Sequence, residues 1–240
     1  CTKIAKAKYE PNAECPQFMS FLDRIMGGSA DLKGYLQRAV GYSLTGSTRE
    51  QCFFIAHGIG ANGKSVFLNL FRDLVGTYGL NVPMDTLMTK AKSGGINNDV
   101  ARLYGARLVT AIEGETNQKM AESLVKQLTG GDKVTARHLY KNFFEFDPVL
   151  KLWMATNHKP QVSGNDPAIW RRIHLIPFNV VIPSEEQDGD LPLKLREEFP
   201  GILKWAIEGA IEWNRVGLKP PAEVLSATEH YRSEMDTFSR

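Results

Sequence analysis

The sequence predicts an α/β fold, a parallel-sheet core with helical flanks at both ends of the chain, from three observations. Short apolar runs of buried-strand type recur at 52–56, 107–112, 150–155 and 173–178. Strands covered on both faces read as such runs rather than as alternating patterns. Stretches with apolar residues at helical spacing separate them, as at Phe67, Leu70, Phe71 and Leu74. Between the first run and that helical stretch stands Gly58-Ile59-Gly60-Ala61-Asn62-Gly63-Lys64-Ser65, which matches G-x-x-x-x-G-K-S/T.

At average residue usage the four fixed positions of that pattern meet by chance in roughly one chain in a hundred of this length. The strand and helix around them make chance a poorer explanation still. The residue types also suit one task. Glycines let backbone N–H groups converge on phosphate oxygens, a lysine reaches the β- and γ-phosphates, and a hydroxyl ligates Mg²⁺ at a helix N-terminus. Gly58, Gly60, Ala61, Asn62, Gly63, Lys64, Ser65 and Val66 are therefore the expected nucleotide-binding positions, with Ser65 as the hydroxyl. The phosphate loop thus makes a P-loop NTPase core the expected form of the α/β fold.

In chain order, residues 1–12 are polar, with three lysines and a proline, and read as a tail. Over 14–26 the spacing of Phe18, Phe21, Leu22 and Ile25 predicts an amphipathic helix that Gly27-Gly28 ends. Ser29 or Asp31 caps a second helix through Tyr42. These two helices are expected to form a small separate layer before the core, either simply packed on it or acting as a collar between copies. The stretch 86–99, with Thr89-Lys90-Ala91-Lys92-Ser93-Gly94-Gly95, reads as a loop. The run 107–112 delivers Glu113-Gly114-Glu115 at its C-terminal end, where ligands bind in open α/β sheets. Acids there suit Mg²⁺ and the attacking water, with Glu113 favoured for the metal and Glu115 for the water.

Residues 120–128 are helical, and 133–140 with 143–146 read as a hairpin turning at Lys141-Asn142. It carries Lys133, Arg137, His138 and Lys141 beside Tyr140 and Phe143. Cations for phosphates beside rings for bases is the composition of a single-strand-binding element, and equally of a solvated face whose rings are core. Asn157 follows the run 150–155, either as a contact to the γ-phosphate or as a turn residue before Pro160. Trp170-Arg171-Arg172 leads into the run 173–178. Past Pro183 an acidic linker precedes a helix striped with Leu203, Ile207, Ala210 and Ile211, and 222–235 is a final helix. Trp205 and Trp213 read as packing residues. The expected division is 1–45 for tail and collar, 46–183 for the core with its hairpin, and 184–240 for the C-terminal helices.

Composition excludes little. The chain has 240 residues, 42% of them hydrophobic, and a net charge of +2, too small to argue for nucleic acid by itself. Cys1, Cys15 and Cys52 have no paired spacing and offer no zinc site, which suits a reducing compartment. No apolar run approaches the ~20 residues of a membrane span. A cytoplasmic protein, and a fragment of a longer polypeptide, is the expectation.

Taken together, the ordered motifs resemble the superfamily 3 helicase domain of phage and plasmid primase-helicases, a group of AAA+ type ring ATPases. The residues that carry the resemblance are Gly41-Tyr42-Ser43-Leu44-Thr45-Gly46, Gly60-Ala61-Asn62-Gly63-Lys64-Ser65, Glu113, Leu128-Thr129-Gly130-Gly131-Asp132, Ala136-Arg137, Thr156-Asn157 and Trp170-Arg171-Arg172. The resemblance implies ATP and Mg²⁺ on Lys64, Ser65 and Glu113, with Glu115 beside them and Asn157 as the sensor. It makes Arg172 or Arg171 a finger acting across a subunit interface. It also implies a hairpin that meets DNA through Lys133, Arg137, His138, Lys141 and Asn142. The partners it implies are single-stranded DNA and a duplex fork, further copies in a homo-oligomeric ring of six, and a linked or partner primase, in a bacterial host cell. The second motif reads Glu-Gly-Glu where many relatives place two adjacent acids, and no primase signature is present. Two rivals fit the phosphate loop: a monomeric small-molecule kinase using Arg171 and Arg172 in cis, and an ATP-gated DNA-binding switch that does not unwind.

Overall fold

A computed structural model describes residues 2–89, 98–112, 118–163 and 166–238. Two helices come first, α1 (Pro16–Ile25) and α2 (Ala30–Leu44), followed by β1 (Phe53–His57) and α3 (Lys64–Leu74). Next come β2 (Gly79–Asn81), α4 (Asn98–Arg102), β3 (Leu108–Ile112) and α5 (Glu122–Gly130). A hairpin of β4 (Val134–Arg137) and β5 (Phe143–Phe146) leads to β6 (Lys151–Thr156), α6 (Pro167–Trp170) and β7 (Ile173–Pro177). The chain closes with α7 (Leu191–Glu197), α8 (Phe199–Val216) and α9 (Ala222–Phe238).

Five of the strands form one sheet in the order β2-β3-β6-β1-β7, and every pairing in it is parallel. All these strands run the same way, so the C-terminal ends of β3, β6 and β1 lie side by side at one edge. Side chains alternate across a strand, and the alternation divides the core between two layers. Phe54 and Ala56 of β1 join Trp153 and Ala155 of β6 in a cluster with α1, α2, α3 and α8. Phe53 and Ile55 join Leu152 and Met154 on the other face, with residues of α5, the hairpin and α9.

An isolated helix of ten residues is marginal in water, so burial holds α1. Phe18, Phe21, Leu22 and Ile25 are all buried, each contributing about 1.5–3 kcal/mol when fully covered. Phe18 meets Phe71 of α3 and Trp205 of α8 edge-on, at 5.8 and 4.9 Å between centroids. Ser29 accepts from the Leu32 amide and caps α2. This packing follows the alternative of helices laid on the core, because α1 and α2 share one cluster with the phosphate-loop helix and the C-terminal α8. Gly41 shows how closely α2 and α8 cross: a methyl there would lie 2.1 Å from the Ala210 nitrogen. Trp213 lies against Tyr42 with ring centres 4.7 Å apart and tilted by 43°, and donates to Glu50, so both tryptophans pack as expected.

The buried Lys151 interrupts the apolar run of β6 because its ammonium has three carbonyl partners, at Thr45, Ser47 and Val149. Burial pulls its pKa down to about 7. At the start of the expected loop 86–99, Met84–Leu87 forms a 3-10 turn and the Thr89 amide donates to the Lys119 carbonyl. Residues 90–97 lie outside the described residues.

Candidate functional site

The loop between β1 and α3 closes on itself. Gly63 sits at φ +79° as the residue before α3, a backbone region that suits glycine. A methyl at Gly58 would lie 2.2 Å from the Phe178 carbonyl oxygen. Ala61 holds a left-handed φ of +49°, and its carbonyl accepts from the Ile182 amide at 2.7 Å. Asn62 is buried and donates to the Phe178 carbonyl, which ties the loop to the end of β7. Lys64 is buried too, and its ammonium donates to the Gly58 carbonyl at 2.7 Å, to Asn62 Oδ1 at 2.9 Å and to Asn157 Oδ1 at 3.0 Å. Burial lowers its pKa.

Asn157 belongs to this site because β6 lies directly beside β1 in the sheet. Its side-chain oxygen also accepts from the Gly60 amide, at 3.4 Å. A cavity of about 520 Å³ opens here, lined by Gly60 to Val66, by Ile112 at the end of β3 and by Thr156 to His158. The exposed Ser65 faces it at the start of α3. Its hydroxyl, on the wall of the same cavity as the Lys64 ammonium, fits a magnesium-bound phosphate chain. Glu113 and Glu115 follow β3 directly in sequence and lie outside the described residues.

A second cavity, about 680 Å³, adjoins the first and shares Ala61, Gly63 and Val66 with it. Phe21 and Arg24 of α1 form one wall, and Ile182, Gln187 and Leu191 the other. Arg24 joins the walls through an ion pair with Glu186 at 2.6 Å. The mostly apolar enclosure beside a phosphate loop has the size and character of a small-ligand pocket. No local pattern marks it, because its walls come from segments 162 residues apart at the Arg24–Glu186 pair.

The remaining expected residues sit at the other edge of the sheet. Arg172 precedes β7, and its carbonyl accepts from the Phe53 amide at the start of β1. A five-residue strand separates that point from the phosphate loop, ~16 Å at 3.3 Å per residue. Arg171 is exposed there, whereas Arg172 is buried and donates to the Ala168 carbonyl at 2.6 Å. The hairpin starts from the same edge, where Gln51, just before β1, donates to the Gly130 carbonyl at the end of α5. Its register pairs Val134 with Phe146 and Arg137 with Phe143. Val134, Ala136 and Phe146 are core, so the inner face follows the packing alternative. Lys133, Arg137, His138, Lys141 and Asn142 are exposed. So is Tyr140 at the tip, 95% accessible and at φ +59°. The Arg137 guanidinium lies 4.9 Å from the Phe143 ring centre.

A family model described as "Family of unknown function (DUF5906)" matches residues 56–172, from the end of β1 to the arginine pair. The chain is similar to a protein named "Putative helicase L207/L206" of Acanthamoeba polyphaga mimivirus, 28% identical over 238 residues, covering 91% of this chain and 24% of that protein. It is 27% identical over 242 residues to "Putative helicase 022R" of Frog virus 3, covering 92% of this chain and 25% of the other. Over 190 residues it is 27% identical to "Primase D5" of Fowlpox virus, covering 74% and 24%. The chain thus spans about a quarter of the length of these curated relatives. Among solved structures it is similar in fold to the apo C-terminal region of NrS-1, with a TM-score of 0.65 at 15% identity, over 84% of this chain and 47% of that one. No helix among the described residues is long and apolar enough to cross a membrane.

Proposed function

We propose that this chain is the ATP-hydrolysing motor of a replicative helicase from a virus or other mobile element, of the superfamily 3 type, working as a homo-oligomeric ring. One observation carries the reading. Lys64 and Asn157 converge on the phosphate-loop cavity, while the exposed Arg171 and the basic hairpin occupy the opposite edge of the sheet. The viral relatives named as helicases and as a primase support the same reading.

In this reading the loop amides from Gly60 to Ser65 hold the phosphates of ATP, and the adjoining cavity under Phe21 takes the nucleoside. The three oxygens around Lys64 are uncharged, so its cation is held in place without being neutralised and transfers to phosphate oxygens at small cost. Mg²⁺ on Ser65 and Glu113 supplies charge compensation on those oxygens. Glu115 polarises the attacking water, and Asn157 holds it or the γ-phosphate in line. Arg171 of a neighbouring copy completes the site. Arg172, buried and bonded within its own chain, anchors the turn instead. Around a ring, hydrolysis then moves the hairpins along one DNA strand, gripping phosphates with little regard to sequence. A primase on the same or a partner chain, and the cytoplasm of the infected cell, complete the setting.

The kinase rival needs an arginine acting in cis, and the distance of Arg171 from its own loop weighs against it. Steady-state ATP hydrolysis, measured with and without single-stranded DNA beside Lys64→Ala, tests the proposal. A rate that rises with DNA and disappears in the variant is expected. ATP binding with no turnover would replace the motor by the ATP-gated switch, and a DNA-independent rate would favour the kinase.

A further inference from the structure

Asn157 stands on a short turn between β6 and Pro160, and a turn of that kind does not fix a side chain by itself. Within it, Thr156 Oγ1 donates to the His158 carbonyl at 2.6 Å and accepts from the His158 amide at 3.0 Å. The stronger constraints come from α9. The Lys159 ammonium bonds both carboxylate oxygens of Glu234, at 2.8 and 2.7 Å, and lies 5.7 Å from the Tyr231 ring centre. The Tyr231 hydroxyl, fully buried, donates to the Pro160 carbonyl. Two residues of one helix thus grip the two positions that follow Asn157 and His158.

The helix is itself anchored. Thr228 accepts from the Leu175 amide on the outer edge of β7 at 3.1 Å, and the Tyr231 ring stands edge-on to Trp170 at 5.0 Å. On the loop side, His57 at the end of β1 meets the Asn157 backbone. Burial, then Lys159 and Lys64, hold its pKa below the ordinary value, with Glu234 opposing. The path therefore runs from α9 through Lys159 and Pro160 to Asn157, and from Asn157 to Lys64 and Gly60.

We propose that α9 is the positioning element of the nucleotide site, with Glu234, Lys159 and Tyr231 setting where the Asn157 side chain meets Lys64. None of the three lines the phosphate-loop cavity. Whatever displaces α9 moves the Asn157 oxygen relative to the loop. A misplacement near 1 Å costs an enzyme up to ~10²-fold in rate, so a small shift of this helix suffices to slow hydrolysis. The inference rests on the proposed ATPase reading for its consequence, and on geometry alone for the clamp.

The test compares the wild-type chain with Glu234→Gln and Glu234→Asp in two measurements. Glu234 is half-exposed, so neither substitution opens the core. In hydrogen exchange followed by residue, Glu234→Gln should speed the amides of 156–159 by ~10-fold or more while β1 keeps its protection. In steady-state ATP hydrolysis it should lower kcat by ~10-fold with KM within ~2-fold, and Glu234→Asp should restore part of both effects. Unchanged exchange at 156–159 overturns the clamp. Faster exchange with unchanged kcat overturns the positioning role while leaving the ATPase reading in place. If the wild type neither binds nor hydrolyses ATP, the functional reading fails, and the exchange result alone still decides whether α9 holds the turn.

Discussion

Lys64 and Asn157 meet through the sheet: β6 lies beside β1, and the Asn157 side-chain oxygen accepts from the lysine ammonium at 3.0 Å. Arg171 and Arg172 are consecutive, and the pattern cannot rank them. The phase of the chain at the start of β7 buries the second and exposes the first. His174, two positions on, yields a prediction of its own. It pairs with the Tyr35 hydroxyl at 2.5 Å in the core, and burial lowers its pKa from 6.5 to about 4. The folded state therefore keeps this ring neutral where the unfolded chain protonates it. Its contribution is complete above pH 6.5 and is lost as pH falls toward 4, at up to about 1.4 kcal/mol per pH unit and about 3 kcal/mol in all. Denaturant unfolding across this range should show that loss, and His174→Gln should flatten it. His57, also shifted down, adds a smaller slope of the same sign that the variant keeps. An unchanged slope in the variant would place the protonation elsewhere.

Among the elements, those with a strong period were readable and those held by distant partners were not. The stripe of α1 and the apolar strands β1, β3, β6 and β7 follow from spacing alone. The three-residue β2 does not, since it is too short to show a pattern and pairs only with β3. The pocket walls on α1 and 182–191, and the grip of α9 on Lys159, join segments far apart in the chain, where no local signal exists. The hairpin lies between these cases. Its turn and charges were visible, but whether its rings were core or tip required coordinates. The answer divides them: Phe146 is core, while Tyr140 and Phe143 are exposed. Replacing Arg137 and Lys141 together by Ala should abolish stimulation of ATP hydrolysis by single-stranded DNA with nucleotide binding intact. It should also reduce the salt dependence of DNA binding by about two phosphate contacts. Stimulation that survives the double substitution would remove the hairpin from the DNA path.

At the scale of the whole molecule, the sheet sets a distance that no side chain can cross. The phosphate loop and Arg171 lie at opposite ends of β1 and β7, ~16 Å apart along a five-residue strand. In the proposed reading a finger therefore has to come from another copy, repeated head to tail, and such contacts close into rings when the rotation allows. The order of apolar runs and helical stretches made an α/β fold with a parallel sheet legible from sequence. They could not show the separation of the two edges, which is a property of parallel strands all running one way. Mixing two inactive variants measures the consequence directly. Lys64→Ala retains the arginine and Arg171→Ala retains the loop, so each is expected to be silent alone. An equimolar mixture, allowed to exchange subunits on single-stranded DNA, should recover about a quarter of the wild-type hydrolysis rate, because one neighbouring pair in four unites an intact loop with an intact arginine. A mixture as silent as its parts, beside an active wild type, or a fully active Arg171→Ala, would contradict a site shared between copies.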